Sequence, residues 1–196
     1  GYSTVYPFSV FRKTQGDFRE RIRISQFVIL PQYRGQGHGS NLLQAIYDDC
    51  RTRDCVEITV ESPSEGFRNL RDVNDLKLCL ERKFLSEDPS KEKIETIGQE
   101  LSAQINKELR LSRSQVLRCH EINLYRSLNN GSESSAERIR NFRMLVKRRL
   151  FTQFEEVLAP LLPDERKRRL AEIFEDVEKE YELVGRKFPT PKRRGL

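Results

Sequence analysis

Two places in this 196-residue chain could do chemistry. The first is the stretch YRGQGHGS at 33–40, where Gly35, Gly37 and Gly39 recur at every second position between an apolar run and an amphipathic one. A glycine loop between a strand and a helix turns backbone N–H groups outward with no Cβ in the way. The helix start adds partial positive charge, so such a loop suits phosphate. A plain connecting turn needs one glycine, not three. The second place is Glu61, which closes CVEITVE at 55–61. A carboxylate can take the proton that keeps an amine from acting as a nucleophile, a lysine amine having a pKa of about 10.4. On spacing alone, Glu61 reads as a solvated carboxylate at a strand end.

The elements that must position these groups follow from periodicity. Residues 2–11 are aromatic and β-branched and predict a strand, followed by a turn at TQGD, 14–17. Residues 20–30 predict a second strand. Ile22 and Ile24 alternate with arginines and the run FVIL is then continuously apolar, as a half-exposed strand becoming fully buried would be; Pro31 ends it. Leu42, Leu43, Ile46 and Tyr47 give one face of a helix over about 40–51. In 55–61, Val56, Ile58 and Val60 point one way and Glu57, Thr59 and Glu61 the other. Residues 20–61 therefore read strand, glycine loop, helix, strand, a unit whose strands are normally parallel.

Beyond about residue 76 the pattern is helical. Ile94, Ile97, Leu101, Ile105 and Leu109 predict one stripe, and Leu117, Leu124 and Leu128 a second. NNGSES at 129–134 reads as a linker, with Ser134 and Glu137 at capping-box spacing. Ile139, Phe142, Val146, Leu150 and Phe154 predict a third helix, broken by Pro160 and Pro163, with Asp164 capping a fourth. Leu170, Ile173, Phe174, Val177, Tyr181 and Val184 form that helix's buried stripe, and Gly185 lies near its end. Asp72 or Asp75 could cap a helix, and Arg71 could bind Asp72 or a cofactor. PTPKRRGL reads as a disordered basic tail. The chain opens at Gly1 in mid-pattern, as part of something longer would.

Composition narrows the classes. The net charge of +6 favours acidic partners or simple solubility. Four cysteines without a CxxC pair, and only His38 and His120, do not make a zinc site and read as reduced thiols. Nothing reads as a signal peptide or a membrane span.

Three phosphate loops compete for 33–40. A P-loop needs Gly-Lys-Ser/Thr, where this chain has His38-Gly39-Ser40; a Rossmann fingerprint needs a glycine at Ser40. Arg34-Gly35-Gln36-Gly37-His38-Gly39 instead fits the Arg/Gln-x-x-Gly-x-Gly/Ala loop of the GCN5-related N-acetyltransferases (GNAT). With ISQFVILPQYRGQGHGSNLLQAIY, EITVESPSEGF and NLRDVNDLKLC, the chain resembles the type B histone acetyltransferase catalytic subunits, strongly over about 1–80. The resemblance implies an α+β fold: a mixed-sheet GNAT core lacking its first strands at 1–76, a C-terminal helical domain at 77–188, and a tail at 189–196.

It also implies a site. The main chain of Phe27, Val28 and Ile29 would pair with the pantetheine arm of acetyl-CoA. Arg34, Gly35, Gln36, Gly37, His38, Gly39 and Ser40 would wrap its pyrophosphate, and Ser64 and Phe67 would touch the cofactor. Glu61 would be the general base, Ser62 standing where the family has a second carboxylate. Tyr6, Pro7 and Phe8 would lie near the histone peptide, and no metal is implied. The family acts on free histones, chiefly the tail of core histone four, with a WD-repeat chaperone subunit. Nuclear and cytoplasmic location is expected, without direct DNA or membrane binding. Two alternatives stay open: a small-amine acetyltransferase of the same fold, and a non-catalytic histone-binding or assembly fragment.

Overall fold

The computed structural model describes residues 1–11, 18–130 and 136–188. The expected turn at 14–17, Ser134 of the capping pair, most of the linker, and the tail lie outside the described residues. Aromatic and β-branched residues build β1 (Tyr2–Phe11), and the Arg/Ile alternation builds β2 (Phe18–Val28). The two pair antiparallel, from Tyr2↔Val28 to Phe11↔Phe18. β3 (Ile58–Val60) pairs with β2 in parallel, Ile22↔Ile58 to Ile24↔Val60, giving the order β1-β2-β3. The strand–loop–helix–strand unit is therefore present, with α1 (His38–Thr52) as its crossover.

The remaining helices are α2 (Glu65–Glu81), α3 (Gln99–Leu109), α4 (Arg113–Asn130), α5 (Ala136–Gln153), α6 (Glu155–Leu158) and α7 (Pro163–Gly185). Two compact units result. One comprises residues 1–84 and 98–119, the other 85–97 and 120–196. Strands alternating with helices and then helices alone make this an α+β chain.

Several sequence expectations are corrected. As a regular strand β3 is three residues long rather than seven, although single main-chain bonds to β2 run from Val56 N–H, on the Glu20 carbonyl at 2.7 Å, to Glu61 N–H. FVIL is not fully buried: Leu30 is 44% exposed and Phe27, Val28 and Ile29 are half-buried, since β3 stops before reaching them. Helix α2 begins at Glu65 after the cap Ser64, earlier than expected, so Asp72 and Asp75 cap nothing; both are buried inside it. Ile94 and Ile97 precede α3, whose N-cap is Gly98. Ile139 is exposed on the first turns of α5, which breaks at Phe154 before either proline is reached. Pro163 itself starts α7 after Leu162, so Asp164 lies in the first turn rather than at the cap.

The first unit is tied together by a buried polar triad. Tyr47 of α1 donates to Asp75 Oδ1 of α2 at 2.5 Å, and Arg71 Nε donates to Asp75 Oδ2 at 3.2 Å. Arg71 Nη2 reaches the Ile58 carbonyl of β3 at 2.9 Å. Three elements are thus joined through groups too costly to bury unpaired. Around them pack Ile22, Ile24, Leu43, Ile46, Leu76 and the thiols Cys50, Cys55, Cys79 and Cys119, all free. In the second unit, buried Glu121 of α4 accepts from Arg149 of α5 (2.8 Å) and Tyr181 of α7 (2.5 Å).

Burial pushes the Asp75 carboxyl up from 3.8 to about 6, against the lowering effects of the Arg71 charge and the Tyr47 hydroxyl. Between those values the folded chain holds more protons on this group than the unfolded chain does. Its contribution to stability therefore falls as pH rises from about 4 to about 6 and is level above. Denaturant unfolding should show the stability difference between the native chain and Asp75→Asn shrinking across that window. At pH 7, Tyr47→Phe, which strips Asp75 Oδ1 of its donor, should cost about 1–3 kcal/mol.

Candidate active site

The site forms where β2 and β3 part. The last bond between them runs from Glu61 N–H to the Ile24 carbonyl, 3.0 Å. β2 continues through Ser25, Gln26, Phe27 and Val28 with no strand on the β3 side among the described residues. Four residues at about 3.3 Å rise leave roughly 13 Å of open edge. The register against β1 slips at the same point: Thr4 pairs with Gln26 and Val5 with Ile24, so Ser25 is the extra residue of a β-bulge. Upstream of the bulge the even-numbered Ile22 and Ile24 are buried. Downstream Gln26 is exposed and Phe27 packs edge-on against Phe67 of α2, ring centroids 4.8 Å apart.

The bulge aims Ser25 at Glu61. Glu61 Oε2 accepts from Ser25 Oγ at 3.2 Å and from the Tyr6 hydroxyl at 3.0 Å. Oε1 has no hydrogen-bond partner among the described residues, and Glu61 is exposed. The carboxylate is thus held by one oxygen and offers the other. Directly after it, Ser62 adopts φ +40°, the left-handed region that a serine enters at some cost, and the chain turns away from β2.

At the far end of the open edge, a single 3-10 turn (Pro31–Tyr33) leads into the glycine loop. Arg34 Nε donates to the Ile29 carbonyl at 3.0 Å, pinning the loop to the strand, and its terminal nitrogens have no partner among the described residues. Gly35 and Gly37 take φ +73° and +82°, and Gly37 is the N-cap of α1. Glycine there has no capping side chain, and α1 has no acidic residue in its first turn. The N–H groups of His38, Gly39 and Ser40 therefore lack an intrahelical acceptor, and nothing negative covers them. At Gly39 a Cβ would sit 3.1 Å from Leu70 Cδ2 and 3.7 Å from Ile29 Cγ1, so a larger residue would press the end of the Leu70 side chain back by a few tenths of an ångström.

The other expected residues fall as follows. Ser40 Oγ accepts from Asn74 at 3.1 Å, and Gln36 Nε2 donates to the Gln32 carbonyl at 2.9 Å. The His38 ring lies edge-on to Tyr33, centroids 6.0 Å apart. Ser64 is the N-cap of α2, accepting from Phe67 N–H at 3.3 Å. Tyr6 is brought to Glu61, whereas Phe8, 5.7 Å from the Tyr6 ring, lies under Arg23, whose Cζ is 4.5 Å from the Phe8 centroid. Pro7 of β1 pairs with Ile22 of β2, and among the described residues no strand lies on the other side of β1. Ser25 and Asn74 were missed by sequence reasoning. The signal for Ser25 was present: the Arg/Ile alternation breaks at Ser25-Gln26 before apolar residues resume.

The bulged strand parting from its parallel neighbour, the glycine loop at a helix start and the carboxylate at the fork all fall within one stretch of family likeness, residues 2–70. Residues 2–70 match the acetyltransferase (GNAT) family. Nearly all of the chain is similar to proteins called histone acetyltransferase type B catalytic subunit. The Cryptococcus neoformans protein is 34% identical over 191 residues, 94% of this chain and 44% of that protein. The Mycosarcoma maydis protein is 34% identical over 189 residues, 94% and 40% of the two chains. The Schizosaccharomyces pombe protein is 35% identical over 190 residues, 96% and 48%. The chain thus spans less than half the length of these relatives, and it is a relative of the type B catalytic subunits within the GNAT superfamily.

Gly37 and Gly66 separate backbone need from space. At neither would an added Cβ meet an atom within 4 Å, and only Gly37 has positive φ. Thermal or denaturant unfolding should find Gly37→Ala destabilised by about 1 kcal/mol and Gly66→Ala, in the first turn of α2, unchanged or stabilised by up to about 1 kcal/mol.

Proposed function

We propose that this chain carries the catalytic half of a histone lysine N-acetyltransferase, with Glu61 as general base. The observation that carries the reading is the Glu61 carboxylate, fixed by Tyr6 and Ser25 through Oε2 alone, at the fork from which the open edge of β2 leads to the glycine loop. The residues fit acetyl-CoA. From Ser25 to Val28, the edge of β2 that faces away from β1 offers main-chain groups to an extended amide-bearing arm. The bare start of α1 and the free end of Arg34 face outward for a pyrophosphate. Bound there, acetyl-CoA would supply an activated acetyl thioester.

The protein's own part is positioning and proton removal. Tyr6 and Ser25 orient the carboxylate, and Oε1 takes the proton from a lysine ammonium so that the amine can accept the acetyl group, the thioester C–S bond breaking and coenzyme A leaving as its thiolate. Phe27 and Phe67 form an apolar wall beside the fork. β1, with no strand on its other side among the described residues and with Tyr6 and Phe8 on its exposed face, could pair with an extended peptide. The names of the relatives carry the histone substrate; the family resemblance alone supports a free tail, chiefly that of core histone four, and a WD-repeat chaperone subunit. A nuclear and cytoplasmic location follows from the same reading.

Steady-state turnover with acetyl-CoA and a histone tail peptide tests the reading. Glu61→Gln should lower kcat by about a hundredfold or more with KM for acetyl-CoA little changed, since removing a general base costs 10²–10⁴-fold. Tyr6→Phe and Ser25→Ala should each cost less than Glu61→Gln. Full turnover by Glu61→Gln would remove this residue as the base. A native chain that binds acetyl-CoA but transfers nothing would favour the binding-fragment reading instead.

A further inference from the structure

Helix α5 carries six cations and one carboxylate in 18 residues. Its Phe142, Val146 and Leu150 are buried, and Met144, on the outer face, is 47% exposed. The helical neighbours of Met144 at i−4, i+3 and i+4 are Arg140, Lys147 and Arg148, and Arg143 stands one residue before it. A single exposed methionine is ordinary; here it sits among four cations. The other two α5 cations are used internally: Arg149 donates to Glu121 and Arg138 to the carbonyls of Pro89 and Glu92. None of the four around Met144 makes an ion pair with a carboxylate among the described residues. The arrangement also opposes helix formation, because Arg143 and Lys147 are like charges at i,i+4. It is partly offset within the second unit. Both sit over the Phe174 ring of α7, with Arg143 Cζ and Lys147 Nζ each 5.4 Å from the centroid. That stacking holds two flexible side chains in place before any partner arrives, which lowers the entropy lost on binding.

We infer that this face of α5 docks an acidic protein segment that carries an apolar residue among its carboxylates. The cations supply charge complementarity over a patch one helix wide. Met144, a flexible and polarizable side chain at the centre, supplies the apolar contact that the cations would shield from water. A phosphate backbone would meet the cations but leave Met144 without an apolar partner, so the composition of the face favours a peptide over a nucleic acid. The surface shares no residue with the site around Glu61.

Fluorescence anisotropy with the whole chain tests this. The probes are a labelled run of glutamates with a central pair of leucines, an all-glutamate peptide of equal length, and labelled duplex DNA. The leucine-bearing peptide should bind most tightly and weaken as salt is raised. Arg140→Glu combined with Arg148→Glu should weaken it by about tenfold or more. Met144→Ser should bring it to the level of the all-glutamate peptide without altering the latter. Arg168→Glu, an exposed cation on α7, should change nothing. Circular dichroism should find all variants folded, since only exposed side chains change. No binding by the native chain, equal binding of the two peptides, indifference to the double reversal, or tighter binding of DNA than of either peptide would overturn the inference.

Discussion

The bond from Glu61 N–H to the Ile24 carbonyl is the constraint on which the site depends. It is the last rung between β2 and β3, and everything useful lies just past it. β3 ends at Val60 and Ser62 turns the chain aside in a left-handed conformation, while β2 runs on with one edge uncovered. An uncovered strand edge is normally a liability. Here it leaves main-chain donors and acceptors beside Glu61 for an extended ligand. The bulge at Ser25 makes the same point from the other side. One inserted residue shifts the phase of β2, turns Phe27 onto Phe67, and points a hydroxyl at the carboxylate that the fork presents.

What keeps the fork in place lies beneath it. Arg71 binds the Ile58 carbonyl of β3 while its charge is met by Asp75, and Tyr47 completes that carboxylate's hydrogen bonding. The short β3 is thereby anchored to α2 and α1 as well as to β2. A three-residue strand has little ladder of its own, and on its other side Ile58 N–H is taken by the Arg110 carbonyl. Burying an arginine and an aspartate together is rarely the cheapest way to stabilise a core. Its effect here is to fix where β3 stops, and so where Glu61 stands.

Much of this was legible in the sequence. The alternation in RIRIS, the three glycines and the apolar face after them gave the strand, loop and helix with boundaries correct to within two or three residues. The class of site followed from the hexapeptide at 34–39. The full burial expected for FVIL failed because burial depends on a neighbour, and no local pattern announces that β3 stops short. The early start of helix α2 was missed for a related reason. Its stripe includes Arg71, Asp72 and Asp75, charged residues that hydrophobic periodicity counts as outward but that pair with one another and with Gln115 and Arg118 inside the unit. Ser64 and Tyr6 were marked for contacts with ligands; the structure gives each a bond within the protein, Ser64 as a helix cap and Tyr6 as a holder of Glu61.

Hydrogen exchange of the backbone amides, followed residue by residue with and without acetyl-CoA, tests the central claim most directly. If the open edge and the glycine loop are the seat, added acetyl-CoA will slow exchange at those amides of Phe27 to Ile29 that face away from β1 and at the loop amides through Ser40. The β1–β2 ladder, already hydrogen-bonded, will change little. Binding that protects other segments and leaves these amides exchanging as before would contradict the account.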